Sequence, residues 1–208
     1  MKNIIIIGAG GHSSVIIEII ESMIENGHEI QIKGLLDDSP YRKEFMGYKV
    51  LDKVENANVY NDKNTEYIIA IGNNNIRKKI SNTHSNLKYF RAIHPTAIIS
   101  KSSSINEGTV VMPRAVINAN SEIGSHVIIN TGAIIEHDNK IGSFSHISPG
   151  ATLCGGVNIG EETHIGANST IIQYKNVGSR TIIGAGSTVT KDIGSDVIAV
   201  GSPAKIIK

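Results

Sequence analysis

Residues 121–153 read SEIGSHVIINTGAIIEHDNKIGSFSHISPGATL. Cut into sixes from Ser121, they put an aliphatic residue at the third position each time: Ile123, Ile129, Ile135, Ile141, Ile147 and Leu153. The same phase runs back to Ile99 and forward to Val189. Two residues before each aliphatic position the side chain is small or slim, as at Ser121, Val127, Ala133, Ser145 and Ala151; Asn139 and Lys175 are the exceptions. A period of six is incompatible with an amphipathic helix of 3.6 residues per turn. It fits a short strand with two inward side chains followed by a tight turn. Three such units close a triangular coil of eighteen residues, and successive coils stack at about 4.8 Å with their backbones paired. Glycines at 124, 142, 160, 166, 178 and 184 follow the aliphatic position, where a corner favours permissive backbone angles.

Upstream the rhythm changes. Residues 3–7 are apolar apart from Asn3; Gly8, Gly10 and Gly11 make a turn, and VIIEIIESMI has helical spacing. A second strand, Ile30 to Leu36, ends at Asp37 and Asp38. A third, Tyr67 to Ile71, ends at Gly72 and opens a polar helical segment through Lys79. Alternating strands and helices predict a small parallel sheet of Rossmann-like α/β type over residues 1–92, with the all-β repeat region over 93–208 and His94–Pro95 at the junction. Ligands of such sheets sit beyond the carboxyl ends of the strands, where all three loops converge. GAGGHS departs from the dinucleotide fingerprint G-x-G-x-x-G because Ser13 stands at the third glycine, and the region is too short for two mononucleotide-binding halves. One nucleotide-linked ligand fits better than NAD: the amides of Gly10 and Gly11 meet phosphate, and Asp37 or Asp38 meets base or ribose.

Composition narrows the function further. Twenty basic residues against nineteen acidic ones leave a net charge of +1, which gives nucleic acid no electrostatic footprint. The single cysteine, Cys154, rules out an internal disulfide framework and fits a reducing, cytoplasmic setting; it reads as a packing residue. The N-terminal apolar run is too short to cross a bilayer, and no basic amphipathic helix points to membrane insertion. Chemistry concentrates at His137, an imidazole between Glu136 and Asp138 at a corner where side chains face outward, the arrangement of a general base. His146 and His164, eighteen residues apart, fall on adjacent coils of one face; with no third ligand in register, no metal site is expected. His126 has no evident partner, and His28, His84 and His94 read as surface or junction residues.

The segments IIIIGAGGH, LLDD, AIGNNNIRKKI, INTGAIIEHDNKIGSFSHISPGA and VGSPAK resemble the hexapeptide-repeat sugar acetyltransferases of the PglD/NeuD type across nearly the whole chain. The resemblance implies a left-handed parallel β-helix, a homotrimer with active sites shared between subunits, acetyl-CoA as co-substrate and a nucleotide-linked amino sugar as acceptor. It makes His137 the base and Asp138 its acidic support, where the family often has Glu. His146 matches a residue near the thioester, while Gly155, Ala167 and Ala185 match backbone positions along the pantetheine arm. Gly10, Gly11, His12, Asp37, Asp38 and Gly72 match the nucleotide-sugar pocket. The expected reaction is N-acetylation of a 4-amino sugar, with UDP the better-fitting nucleotide. Sialic acid O-acetylation and a non-catalytic nucleotide-sugar scaffold are the alternatives.

Overall fold

The computed structural model describes residues 1–39 and 41–208. The chain divides into two compact units, Met1–Pro95 and Thr96–Lys208, three residues (95 − 92) beyond the boundary expected from the sequence. In the first unit, β1 (Lys2–Ile7), α1 (Gly11–Glu25), β2 (Ile30–Leu36), β3 (Glu44–Phe45), β4 (Tyr48–Asp52), β5 (Thr65–Ile69) and α2 (Asn74–Thr83) follow one another. The sheet order is β3-β4-β2-β1-β5, parallel apart from the β3–β4 hairpin. Strand β1 is central, so Ile4 to Ile7 are all fully buried. Burial on both faces explains an unbroken apolar run where a half-exposed strand would alternate. Ile5, Ile7, Leu36, Tyr67 and Ile69 share a cluster with Ala57, which belongs to a 3₁₀ helix over Val54–Tyr60. Three details differ from expectation. Strand β5 lies two residues earlier than the apolar run suggested, and the β3–β4 hairpin and the 3₁₀ helix carried no periodic signal. His84, expected on the surface, is 4% exposed.

The second unit is a left-handed parallel β-helix built of two-residue strands on three sheets. One sheet carries Val116–Ile117, Ile134–Ile135, Thr152–Leu153, Thr170–Ile171 and Thr188–Val189. A second carries Glu122–Ile123, Lys140–Ile141, Asn158–Ile159 and Asn176–Val177. The third carries Ile128–Ile129, His146–Ile147, His164–Ile165 and Ile182–Ile183. Every third-position residue from Val111 to Val189 is at most 4% exposed, and each such side chain contributes about 1.5–3 kcal/mol of burial before entropic costs. The slim position is often Ser or Thr for a second reason. Ser121, Ser145 and Thr163 are fully buried, and each donates its hydroxyl to the carbonyl fifteen residues on while accepting the N–H eighteen residues on. Adjacent coils are thereby bridged and a buried hydroxyl is satisfied.

The recurrent glycines have another cause than the one expected. A Cβ on Gly142 would stand 2.5 Å from the Glu161 nitrogen of the next coil, and one on Gly160 2.4 Å from that of Ser179. Close approach of coils excludes a side chain there. The left-handed backbone falls two residues later, at Asn120, His126, Asp138, Phe144 and Tyr174 among others, all with φ near +60°. Among these, His126 is 3% exposed and its ring stacks on Phe144 at 5.1 Å, a partner the sequence did not reveal.

Candidate functional site

In the first unit the strand ends form the rim that the alternation predicts. Gly8, at φ +109°, turns the chain out of β1, and its N–H donates to the Leu36 carbonyl. The Asp37 carboxylate accepts the N–H of Ala9 on one oxygen (2.8 Å) and that of Ser39 on the other (2.9 Å), so it clasps two loops together. Asp38 accepts the Val54 N–H at 2.9 Å and is otherwise turned to solvent. Ser13, at the position of the missing third glycine, is fully buried. It accepts from the Gly10 N–H and donates to the Ala70 carbonyl, tying the start of α1 to the end of β5. A cleft of about 610 Å³ opens beside this rim, lined by Gly8, Asp37, Asp38, Val54, Lys79 and His84 among others.

Gly10, Gly11, His12 and Gly72 lie outside that lining. A Cβ on Gly10, Gly11 or Gly72 would meet nothing within 4 Å, so packing does not demand glycine there. Open space at Gly10 and Gly11, where α1 starts, is what close approach of a phosphate requires, although the Gly10 N–H is itself taken by Ser13. His12 is held neutral at pH 7: burial foremost, then the nearby Arg77 guanidinium, bring its pKa down to about 4. Arg77 itself is 1% exposed and donates to the carbonyls of Ile71 and Gly72 and to the side-chain oxygen of Asn74, which fixes the loop after β5.

In the second unit His137 stands on the edge between the first and second sheets, in the turn from Ile135 to Lys140. Asp138 adopts φ +61°, which brings its carboxylate back to the imidazole. Nδ1 lies 2.8 Å from Oδ2, while Asn120 donates to Oδ1 at 3.1 Å. The carboxylate therefore holds the proton on Nδ1 and leaves the Nε2 lone pair uncommitted. Glu136 makes no side-chain bond to His137 among the described residues, so of the two acids flanking the imidazole it is Asp138 that pairs with it. Beneath the turn, the fully buried Asn139 donates to the carbonyls of Glu136, His137 and Cys154 and accepts the Val157 N–H. Sequence reasoning missed this residue, although its break with the slim-residue rule was visible.

Directly above His137 on the next coil is Gly155. A Cβ there would lie 2.6 Å from Nε2, so the imidazole occupies the notch the glycine leaves. The Gly155 N–H has no acceptor among the described residues. Ala167 and Ala185 run up a different edge, linked by the Gly186 N–H to the Ala167 carbonyl. His146 and His164 lie on the third sheet, the one face that the His137 edge does not border, with ring centroids 4.9 Å apart and edge to face. His146 Nε2 pairs with Asn130 and His164 Nε2 with Ser148, both at 3.0 Å. Among the described residues no three His, Cys, Asp or Glu side chains converge as metal ligands.

The hydrogen bond from His137, and after it that from Asn120, hold the Asp138 carboxyl below its ordinary 3.8. A depressed acid contributes stability above its ordinary pKa and loses it as pH falls through the lowered one. With both side chains more than half exposed that contribution is small, and the pair persists through neutral pH. Carboxyl-carbon NMR is expected to show Asp138 titrating below 3.8, and His137→Ala to return it towards that value. A midpoint already at or above 3.8 in the unsubstituted protein would dissolve the pairing.

Known proteins bear on this geometry. The PglD N-terminal domain family matches residues 3–84, and the bacterial transferase hexapeptide family, six repeats, matches residues 138–173. UDP-N-acetylbacillosamine N-acetyltransferase of Bacillus subtilis is 40% identical over 118 residues, covering 54% of this chain and 52% of that enzyme. The match thus spans about half the length of this curated relative. The acetyltransferase domain of PglB from Neisseria gonorrhoeae, solved with acetyl coenzyme A, is 36% identical over 99% of both chains, with a TM-score of 0.92. PerB from Caulobacter crescentus, solved with CoA and GDP-perosamine, is 33% identical over 100% of this chain and 98% of its own, with a TM-score of 0.88. A repeat β-helix bearing an edge His–Asp pair, joined to a unit with a glycine-turn rim, defines a two-unit hexapeptide transferase. The chain belongs to the hexapeptide-repeat sugar acetyltransferases of the PglD/NeuD type.

Proposed function

We propose that the protein transfers an acetyl group from acetyl-CoA to the 4-amino group of a nucleotide-linked sugar, with UDP the favoured nucleotide. The observation that carries this reading is the His137 imidazole, oriented by Asp138 through Nδ1, with Nε2 beside the uncommitted Gly155 N–H. Nε2 takes a proton from the amine as its nitrogen attacks the thioester carbon. The carbonyl oxygen becomes an oxyanion held by the Gly155 N–H, the C–S bond breaks, and the CoA thiolate leaves and recovers the proton from the imidazolium. The products are the N-acetyl sugar and CoA. No acyl-enzyme is required. The rim of the first unit holds the nucleotide: the open space over Gly10 and Gly11 lets the phosphates approach the start of α1, where the Gly11 amide faces them, and Asp38, with a free carboxylate oxygen, suits a ribose hydroxyl.

The placement of His146 on the face opposite the His137 edge favours a site completed by another copy of the chain, arranged as a homotrimer, in which His146 and the Ala167–Ala185 edge of one subunit approach the His137 edge of its neighbour. No helix among the described residues is long and apolar enough to cross a membrane; use of acetyl-CoA as donor supports a cytoplasmic setting for the reaction. The test is CoA release with acetyl-CoA and four acceptors: a UDP-4-amino sugar, a GDP-4-amino sugar, and free and CMP-linked sialic acid. Release is expected with the UDP-4-amino sugar. Release confined to the GDP sugar would change the nucleotide, and release only with sialic acid would turn the reaction to O-acetylation. Silence throughout would leave a scaffold.

A further inference from the structure

Two consecutive glycines, Gly155 and Gly156, form a notch in the edge that carries His137, and two rings from different coils fill it. The His137 ring rises from the coil below into the place of a Gly155 Cβ. The Tyr174 ring descends from the coil above into the place of a Gly156 Cβ, with two of its carbons 2.6 and 2.8 Å from that point. Gly155 and Gly156 are consecutive, so both rings pack against the same turn, the imidazole from the coil below and the phenol ring from the coil above. Its placement is firm at the backbone, because the Tyr174 N–H donates to the Gly155 carbonyl at 3.0 Å. Its side is open: Tyr174 is 70% exposed, unlike Phe144, which also holds a left-handed corner but stacks on His126.

We propose that Tyr174 determines which acyl group the enzyme accepts, its ring walling the space into which the chain of an acyl thioester extends beyond the methyl of acetyl. The inference rests on the acetyltransferase reading above and deepens it. With the carbonyl oxygen on the Gly155 N–H and the attacking nitrogen at Nε2, two substituents of the reacting carbon remain, the sulfur and the acyl chain. The volume over Gly156, next along the backbone from the oxyanion donor, is taken by the Tyr174 ring. A methyl group fits beside it, and each further methylene meets the wall. Hydrophobic pockets discriminate one methylene by about 10- to 200-fold, and a ring lying against the Gly156 backbone acts in that range.

The experiment compares acetyl-, propionyl- and butyryl-CoA in thiol-release assays with a UDP-4-amino sugar as acceptor, on the unsubstituted protein, Tyr174→Ala and Tyr174→Phe. In Tyr174→Ala the ratio of kcat/KM for butyryl-CoA to that for acetyl-CoA is expected to rise by about 10-fold or more. Tyr174→Phe keeps the ring and is expected to keep the original ratio. Melting curves confirm folding, which an exposed side chain should leave intact. If KM rises equally for all three thioesters in Tyr174→Ala, the ring merely supports the pantetheine arm and the proposal fails. An unchanged ratio with unchanged KM overturns it as well. Inactivity of the unsubstituted protein with every thioester, in contrast, takes down the acetyltransferase reading first and this one with it.

Discussion

Replacement of His137 by Ala is expected to lower kcat by about 10²- to 10⁴-fold with little change in melting temperature. The magnitude is that of losing a positioned general base. The oxyanion donor and the substrate contacts survive, so turnover persists at a residue of its former rate and acceptor KM changes little. Stability should be nearly untouched because the side chain is 52% exposed and its main partner, Asp138, is itself at the surface. A thiol-release assay alongside a melting curve separates the outcomes. Retained turnover would remove His137 from the mechanism. A fall in kcat accompanied by a large fall in melting temperature would make the residue structural.

The second large effect is expected at Asn139, where structure and catalysis meet. Asn139→Leu leaves the Cys154 carbonyl and the Val157 N–H buried without the partners they now have, at about 1–3 kcal/mol each. It should lower stability by about 2–5 kcal/mol in urea unfolding and reduce kcat, because the turn carrying His137 and the turn carrying Gly155 lose their common tie. Asn139→Ser provides the contrast. Ser121 and Ser145 already make the bridge to the carbonyl fifteen residues on and the N–H eighteen residues on. Serine at 139 can make the same bridge, but not the bonds to the Glu136 and His137 carbonyls within the turn. Most of the stability is then retained while kcat still drops. An Asn139→Leu protein as stable as the parent would show that the buried amide ties nothing.

Much of this was legible before any coordinates. The period of six fixes which side chains enter the helix interior, because an inward position every six residues admits no second phase, and burial of Val111 through Val189 follows it without exception. The meeting of the Gly8, Asp37 and Gly72 loops follows from parallel strand topology. Other features were hidden for physical reasons. Glu136 and Asp138 flank His137 equally in sequence, and only the left-handed backbone at Asp138 decides which carboxylate folds back on the imidazole. Gly142 and Gly160 look like flexible corners, whereas the distance to the next coil is what excludes their side chains. The hairpin over 44–52 and the 3₁₀ helix over 54–60 are too short to show a period. Tyr174 carried no signal, since its neighbour across the notch, Gly156, is eighteen residues away.

Because each coil bonds only to the coils above and below, the eighteen-residue turn is also a unit of descent. Duplication or loss of one whole turn keeps every later residue on its own edge and adds or removes a rung of the ladder. An insertion of any length that is not a multiple of six, unless looped out, moves the aliphatic residues out of the interior. A multiple of six that is not a multiple of eighteen keeps the interior sound but carries each edge to another corner. Lineages of this architecture can therefore lengthen or shorten in whole turns beyond Ala185, while the stretch from Asn120 to Ala185, in which positions 120, 138, 156 and 174 assemble one edge from four successive coils, must be inherited intact.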